Sequence, residues 1–293
     1  MPIRFQLTVW RKLLTCFVLA CGIITCMQAQ TAQSYITLKS NKGLEPAAFR
    51  LGYNMPQICS FSPEPFLHTR LSKQFIIHGL RSGIALPFRP LQWQPKQWAT
   101  AGSVAASLVL AYRFDKELFE YVNQNLPTVD NRLHRYLFSP AGNGLLAAPV
   151  VAGMYIFGDE RARGTALASA QSWGYGLAAS TLLKYAFQRH RPESNVQINP
   201  RQWDGPLGGF NHNSFPSRHA TLAFSLLTVI ATEYRDKPWI PVLCYSVAAI
   251  ASLSRVSIHH WPSDVIAGAA LGFGIGKFVH RISKREDDRQ LKK

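Results

Sequence analysis

The sequence predicts an all-α fold, a bundle of about six core helices associated with a membrane. Apolar residues gather in six blocks rich in Ala, Leu, Val and Gly, near residues 99–112, 143–158, 165–187, 219–233, 239–254 and 264–280. Polar links containing Pro, Arg and Lys separate the blocks, which is the pattern of helices joined by turns. No stretch alternates apolar and polar residues as a half-buried strand would, and no internal repeat or Gly-rich phosphate loop interrupts the pattern. With 293 residues, 47% of them apolar, the chain has enough material to bury a core.

Four segments follow from this pattern. In residues 1–29, Arg4, Arg11 and Lys12 precede an apolar run over 13–27 that ends in Met27-Gln28-Ala29-Gln30. That order reads as an export signal cut after Ala29, or as an uncleaved anchor helix; Val18-Leu19-Ala20-Cys21 is a poor lipoprotein-type cleavage site. Residues 30–91 are mixed, rich in Pro and without a clean period, and form an amino-terminal extension. Residues 92–281 hold the helical blocks, and 282–293 are a basic tail.

The blocks, at about 14–17 continuous apolar residues, fall short of the roughly 20 that a spanning helix needs. Charge placement nonetheless suits a membrane. Arg161 and Arg163 lie in the second link, Arg235 and Lys237 in the fourth, and Lys277, Arg281, Lys284 and Arg285 at the carboxyl end, so alternate links share one positive, cytoplasmic side. A cleaved leader followed by six spans would turn the opposite ends inward. An uncleaved leader, a block that does not span, or a soluble periplasmic bundle would avoid this, and the C-terminal charge favours a membrane-associated protein with its site facing the periplasm.

A net charge of +16 calls for an anionic partner. No basic helix or aromatic-interleaved basic run accompanies it, which disfavours nucleic acid. Of five cysteines, Cys16, Cys21 and Cys26 lie in the leader. Cys244 sits in an apolar block and pairs poorly with Cys59, so no structural disulfide is expected. No cysteine–histidine spacing of a zinc site is present.

Three motifs carry chemistry. Lys184 and Arg191, seven residues apart and followed by Pro192, would project two cations from one helix face at the end of the third block. Phe215-Pro216-Ser217-Arg218-His219 opens the fourth block, where free helix amides and the Ser217 hydroxyl make an anion site and His219 stands ready to move a proton. Ser254-Arg255-Val256-Ser257-Ile258-His259-His260-Trp261-Pro262-Ser263-Asp264 joins the fifth block to the sixth. There Asp264 can orient the His260 imidazole and leave its other ring nitrogen free to attack. Taken singly, each motif also reads as an ordinary basic helix end or helix cap. An alternating bundle, however, puts all three on one side.

Together the three motifs resemble the signature of the type 2 phosphatidic acid phosphatase (PAP2) superfamily, which includes bacterial acid phosphatases and vanadium haloperoxidases, over roughly residues 95–281. The resemblance implies a PAP2-like helical domain over 92–281 and a phosphatase acting on phosphomonoesters without metal or other cofactor. It implies that Lys184, Arg191, Arg255, Ser217 and the Arg218 amide hold the phosphoryl oxygens. It also implies that His260 attacks phosphorus, Asp264 orients it, and His219 protonates the leaving oxygen before activating water. Arg218 stands where the family has Gly, and Arg255 and His260 are one residue closer than in the family pattern. Those departures leave room for an inactive phospholipid-binding protein; the haloperoxidase alternative would hold vanadate where phosphate sits. His259 is expected at the rim and His190 beside the phosphate clamp. The apolar helices favour a lipid-linked substrate such as phosphatidic acid, phosphatidylglycerol phosphate, undecaprenyl pyrophosphate or the lipid A phosphates.

Overall fold

A computed structural model describes residues 65–125, 147–192, 199–208, 212–254, 256 and 259–284. The leader and most of the extension, together with Arg255 and the tail from 285, lie outside the described residues. Eight α-helices are described: α1 Lys73–Ala85, α2 Pro95–Arg113, α3 Asp115–Asn125, α4 Ala147–Phe157, α5 Glu160–Phe187, α6 Arg218–Glu233, α7 Trp239–Leu253 and α8 Pro262–Ile282. No strand is found among the described residues, only one isolated bridge between Arg189 and Trp203. The chain divides into two compact units, one containing Trp93–Ser107 and the other Glu64–Gln92 and Leu108 onward. In the first, Trp98 packs edge-on to Trp93, with ring centroids 5.2 Å apart.

All six apolar blocks form helices, close to the expected bounds. Two further helices were not expected. α1 lies in the extension, capped by Ser72, whose hydroxyl accepts from the Phe75 amide at 3.1 Å. It buries no residue fully. Its apolar residues Ile76, Leu80 and Ile84 recur at helical spacing, but they lie exposed in a stretch otherwise rich in Pro and polar residues. α3 is short and starts with Asp115, whose carboxylate suits a helix amino terminus.

Within the larger unit α6 is central, packed by α5, α7 and α8, while α4 lies along α5. The closest approach is between α6 and α8. A Cβ on Gly268 would meet the Ser217 carbonyl oxygen at 2.4 Å, and one on Gly272 would meet that of Thr221 at 2.3 Å. Only glycine permits this backbone contact, the small-residue packing typical of helices in membranes. It seats the first turn of α6 against the first turn of α8, and the Ser217 amide donates to the Asp264 carbonyl at 2.9 Å.

At the opposite ends of these helices Glu233 is buried among cations. It accepts from Arg161 at 2.9 Å, contacts His280 at 2.8 Å, and pairs with Lys284 at 2.6 Å, while Arg161 also pairs with Asp236 at 2.7 Å. Of the basic residues assigned to one side by sequence, Arg161 and Lys284 meet here on Glu233. On the outside of α7, Trp239, Val242, Leu243, Val247, Ile250 and Leu253 are all exposed, an apolar face that no described residue covers. Among the described helices only α8 has the length and apolarity to cross a membrane, and α4 and α7 are shorter apolar helices.

Candidate active site

The site lies where α5 ends and α6 and α8 begin. α5 stops at Phe187 because Gln188 takes the left-handed conformation, φ 42°, and its amide closes on the Lys184 carbonyl. Lys184 and Arg191 therefore do not share a helix face as their spacing suggested; Arg191 lies beyond the helix. They converge through Asn213 instead. Lys184 Nζ donates to the Asn213 carbonyl and, at 3.3 Å, to that of Ser214, while Arg191 Nε and a terminal nitrogen both donate to Asn213 Oδ1 at 3.0 and 2.7 Å. Lys184 is buried and Arg191 half-buried.

Ser217 caps α6, whose helical residues start at Arg218, so Pro216 precedes the cap rather than occupying the first turn. The expected pair of free amides is reduced, since the Ser217 amide is spent on Asp264. Its hydroxyl is a different matter. Ser217 Oγ is buried and makes no hydrogen bond to any described residue, an uncommon state that a phosphoryl oxygen would relieve. The Arg218 side chain is exposed, and His219 is half-buried. Exposed as it is, the Arg218 charge still acts on Lys184.

His260 is buried immediately before α8, and Asp264 sits in its first turn. The expected direct hydrogen bond is not formed, because His260 Nδ1 lies 3.9 Å from Asp264 Oδ2. Ser214 stands between them, donating to Asp264 Oδ2 at 2.5 Å and lying 3.4 Å from His260 Nδ1. Asp264 Oδ2 also accepts from the Trp261 amide at 3.1 Å. Burial drives the His260 imidazole down to about 4, with Lys184 and Arg191 acting in the same direction and Asp264 opposing. Its Nδ1 edge faces the Ser214–Asp264 pair, which leaves Nε2 on the other side of the ring. His259 is half-buried, consistent with a rim position.

Beneath these residues is a support that the motifs did not reveal. Arg189 is fully buried and donates to Asp264 Oδ1 at 2.6 Å, to Asp115 Oδ2 at 2.7 Å, to Ser263 Oγ at 2.8 Å and to the Pro200 carbonyl at 2.8 Å. Its guanidinium lies 5.0 Å from the Tyr112 ring, 4.9 Å from Trp203 and 5.5 Å from Trp261. Asp115 accepts from the Ser263 amide at 2.9 Å and from its hydroxyl at 2.5 Å. Burial raises the Asp115 carboxyl, and Arg189 works against that rise. The one signal in the sequence was Arg189 itself, a charge five residues after Lys184, but its partner Asp115 lies 74 residues away.

Comparison with known proteins places this arrangement. The sequence model of the PAP2 superfamily matches residues 165–288, which contain all three motifs. An undecaprenyl-diphosphatase of Sulfolobus acidocaldarius is 30% identical over 165 residues, covering 54% of this chain and 73% of that protein. The chain belongs to the PAP2 superfamily. A lipid A 1-phosphatase of Porphyromonas gingivalis is 34% identical over 126 residues, 39% of this chain but only 25% of that relative's length. A second protein of that name, from Rhizobium johnstonii, is 28% identical over 213 residues, 66% of this chain and 80% of the relative. The crystal structure of Aquifex aeolicus LpxE, 25% identical, covers 56% of this chain and 93% of that one with a TM-score of 0.42.

Within a PAP2 fold the structure brings Lys184, Arg191, Ser217, His260 and Asp264 to one end of the bundle, around Asn213 and Ser214. Arg255 lies outside the described residues. Asn213 and Ser214, which join the clamp to the histidine, carried no recognisable pattern in the sequence because their roles depend on a loop between α5 and α6.

Proposed function

We propose that this chain is a lipid-phosphate phosphatase working through a phosphohistidine. His260 Nε2 attacks phosphorus; the bond to the leaving oxygen breaks as His219 supplies its proton. His219 then takes a proton from water, which attacks the phosphohistidine, releases inorganic phosphate and restores neutral His260. Lys184, Arg191, Ser217 Oγ and the Arg218 amide hold the equatorial oxygens, with Arg255 assigned the same role from its motif. Charge in phosphoryl transfer is stabilised mainly by preorganised cations and amides, and the residues that supply it here need no metal.

The observation that carries the reading is the buried His260, its pKa lowered by that burial, set beside the Ser214–Asp264 pair and near Lys184 and Arg191. An imidazole kept neutral and oriented by a carboxylate-bound hydroxyl is suited to nucleophilic attack. Relatives named for lipid A 1-phosphate and undecaprenyl diphosphate, together with the exposed apolar face of α7, favour a substrate whose phosphate is carried on a lipid. A bacterial envelope membrane, with the site on the periplasmic side, is the location that fits.

The test is phosphate release by detergent-purified protein from lipid A 1-phosphate, undecaprenyl pyrophosphate, phosphatidic acid and phosphatidylglycerol phosphate. Wild type should turn over at least one of these and His260→Ala none. Equal background rates for both proteins on every substrate would overturn the proposal in favour of an inactive lipid-binding protein.

A further inference from the structure

Asn213 holds both cations of the clamp at once. Its backbone carbonyl accepts from Lys184 Nζ, and its side-chain oxygen accepts from Arg191 Nε at 3.0 Å and from a terminal guanidinium nitrogen at 2.7 Å. The residue is itself fixed from behind. The next amide, that of Ser214, donates to the Arg189 carbonyl at 2.9 Å, and the Ser214 hydroxyl donates to Asp264 at 2.5 Å. Asn213 therefore hangs from the same framework that places Asp264 beside His260.

Those contacts decide which way the amide points. A guanidinium carries five N–H donors and no acceptor, so the atom that meets Arg191 twice is the oxygen, and the NH2 group turns away from that arginine. Nδ2 donates to no described residue, and in this half-buried side chain it is not sealed from solvent. Lys184 meanwhile directs two of its three N–H donors at the Asn213 and Ser214 carbonyls. An aimed amide donor flanked by two cations suits the oxygen of an anion.

The neutrality of Asn213 fits the same use. A carboxylate would hold a guanidinium more strongly, as Asp115 and Asp264 hold Arg189. It would also cancel charge that a phosphoryl group has to meet, whereas an amide aligns the guanidinium and leaves its charge in place. We infer that Asn213 is a phosphate-binding residue, its Nδ2 donating to a phosphoryl oxygen while its Oδ1 keeps Arg191 aligned on the same group. The inference rests on the phosphate clamp proposed above and adds to it a residue outside the three motifs. Asn213 binds and positions; it transfers no proton.

The experiment is isothermal titration of the detergent-purified full chain with inorganic phosphate, with kcat and KM measured on the lipid phosphates, for wild type, Asn213→Ala and Asn213→Asp. Asn213→Ala should weaken phosphate binding about 10–100-fold, the loss expected of one hydrogen bond to a charged group, and raise KM more than it lowers kcat. Asn213→Asp keeps the shape and the Arg191 contact but brings an anion and no donor. It should bind phosphate more weakly still, with a melting temperature equal to or above that of wild type. Circular dichroism checks the fold, and Asn213→Asp decides alone should Asn213→Ala misfold. A folded Asn213→Asp with wild-type phosphate affinity would show that Asn213 only braces Arg191, and overturns the inference. Phosphate binding by wild type and its loss in both variants, with no lipid phosphate hydrolysed by any of them, would uphold it while the phosphatase reading fails.

Discussion

Arg189 donates to Asp264 at 2.6 Å in a fully buried ion pair that joins the end of α5 to the start of α8. Asp115 completes the triad at 2.7 Å, so one guanidinium balances two carboxylates brought from helices far apart in sequence. The carboxylate proposed to orient the nucleophile is therefore itself held by the fold.

Removing that cation leaves two buried carboxylates uncompensated. Arg189→Met should destabilise the protein by roughly 3–5 kcal/mol, the usual cost of breaking a buried pair by deleting one partner. Thermal unfolding in detergent would register this as a large drop in melting temperature. Arg189→Lys, which keeps the charge but cannot reach Asp115, Asp264, Ser263 and Pro200 together, should recover only part of it.

Ser214→Ala removes the hydroxyl between Asp264 and His260 without touching the phosphate clamp. It should lower kcat by about 10–100-fold with little change in KM, the signature of a positioning residue. A rise in KM with kcat intact would show instead that Ser214 serves binding.

His260→Ala and Asp264→Asn should both abolish turnover, while His259→Ala keeps most of it. Single-turnover phosphate release measured on the three variants separates the two histidines. Loss in His259→Ala with retention in His260→Ala would reverse the assignment made from the His260-to-Asp264 spacing.

Burial lowers His260 to about 4 from an ordinary value of 6.5. Between those values the unfolded chain binds a proton that the folded chain does not, so stability rises with pH across the window and is lost as pH falls from about 6.5 toward 4. The His260 ring resonance, identified by its loss in His260→Ala, should stay in its neutral position down to about pH 5. A midpoint near 6.5 would contradict the buried, neutral nucleophile.

Gly268→Ala should push the Ser217 turn away from the first turn of α8, because the added methyl would lie 2.4 Å from the Ser217 carbonyl. Substrate turnover is expected to fall by more than the loss in melting temperature accounts for, since Ser217 and His260 are both referenced to this contact. Gly274, with nothing within 4 Å of an added Cβ, is the control and should accept Ala with no loss.

The sequence by itself determined six of the eight described helices and marked the residues proposed to react. Six apolar blocks became helices near their expected bounds because each is a long apolar run set off by polar links. Lys184, Arg191, Ser217, His260 and Asp264 were legible because each lies near a helix end marked by Pro or by a run of polar residues. α1 was missed because it is one short helix inside a stretch rich in Pro and polar residues. What only the tertiary structure decided is how those groups meet: Asn213 gathering the two cations, Ser214 standing between His260 and Asp264, and Arg189 tying Asp264 to Asp115. These are contacts between loop residues and distant segments, set by how the bundle closes, and no local period or spacing encodes the distance between side chains from different helices.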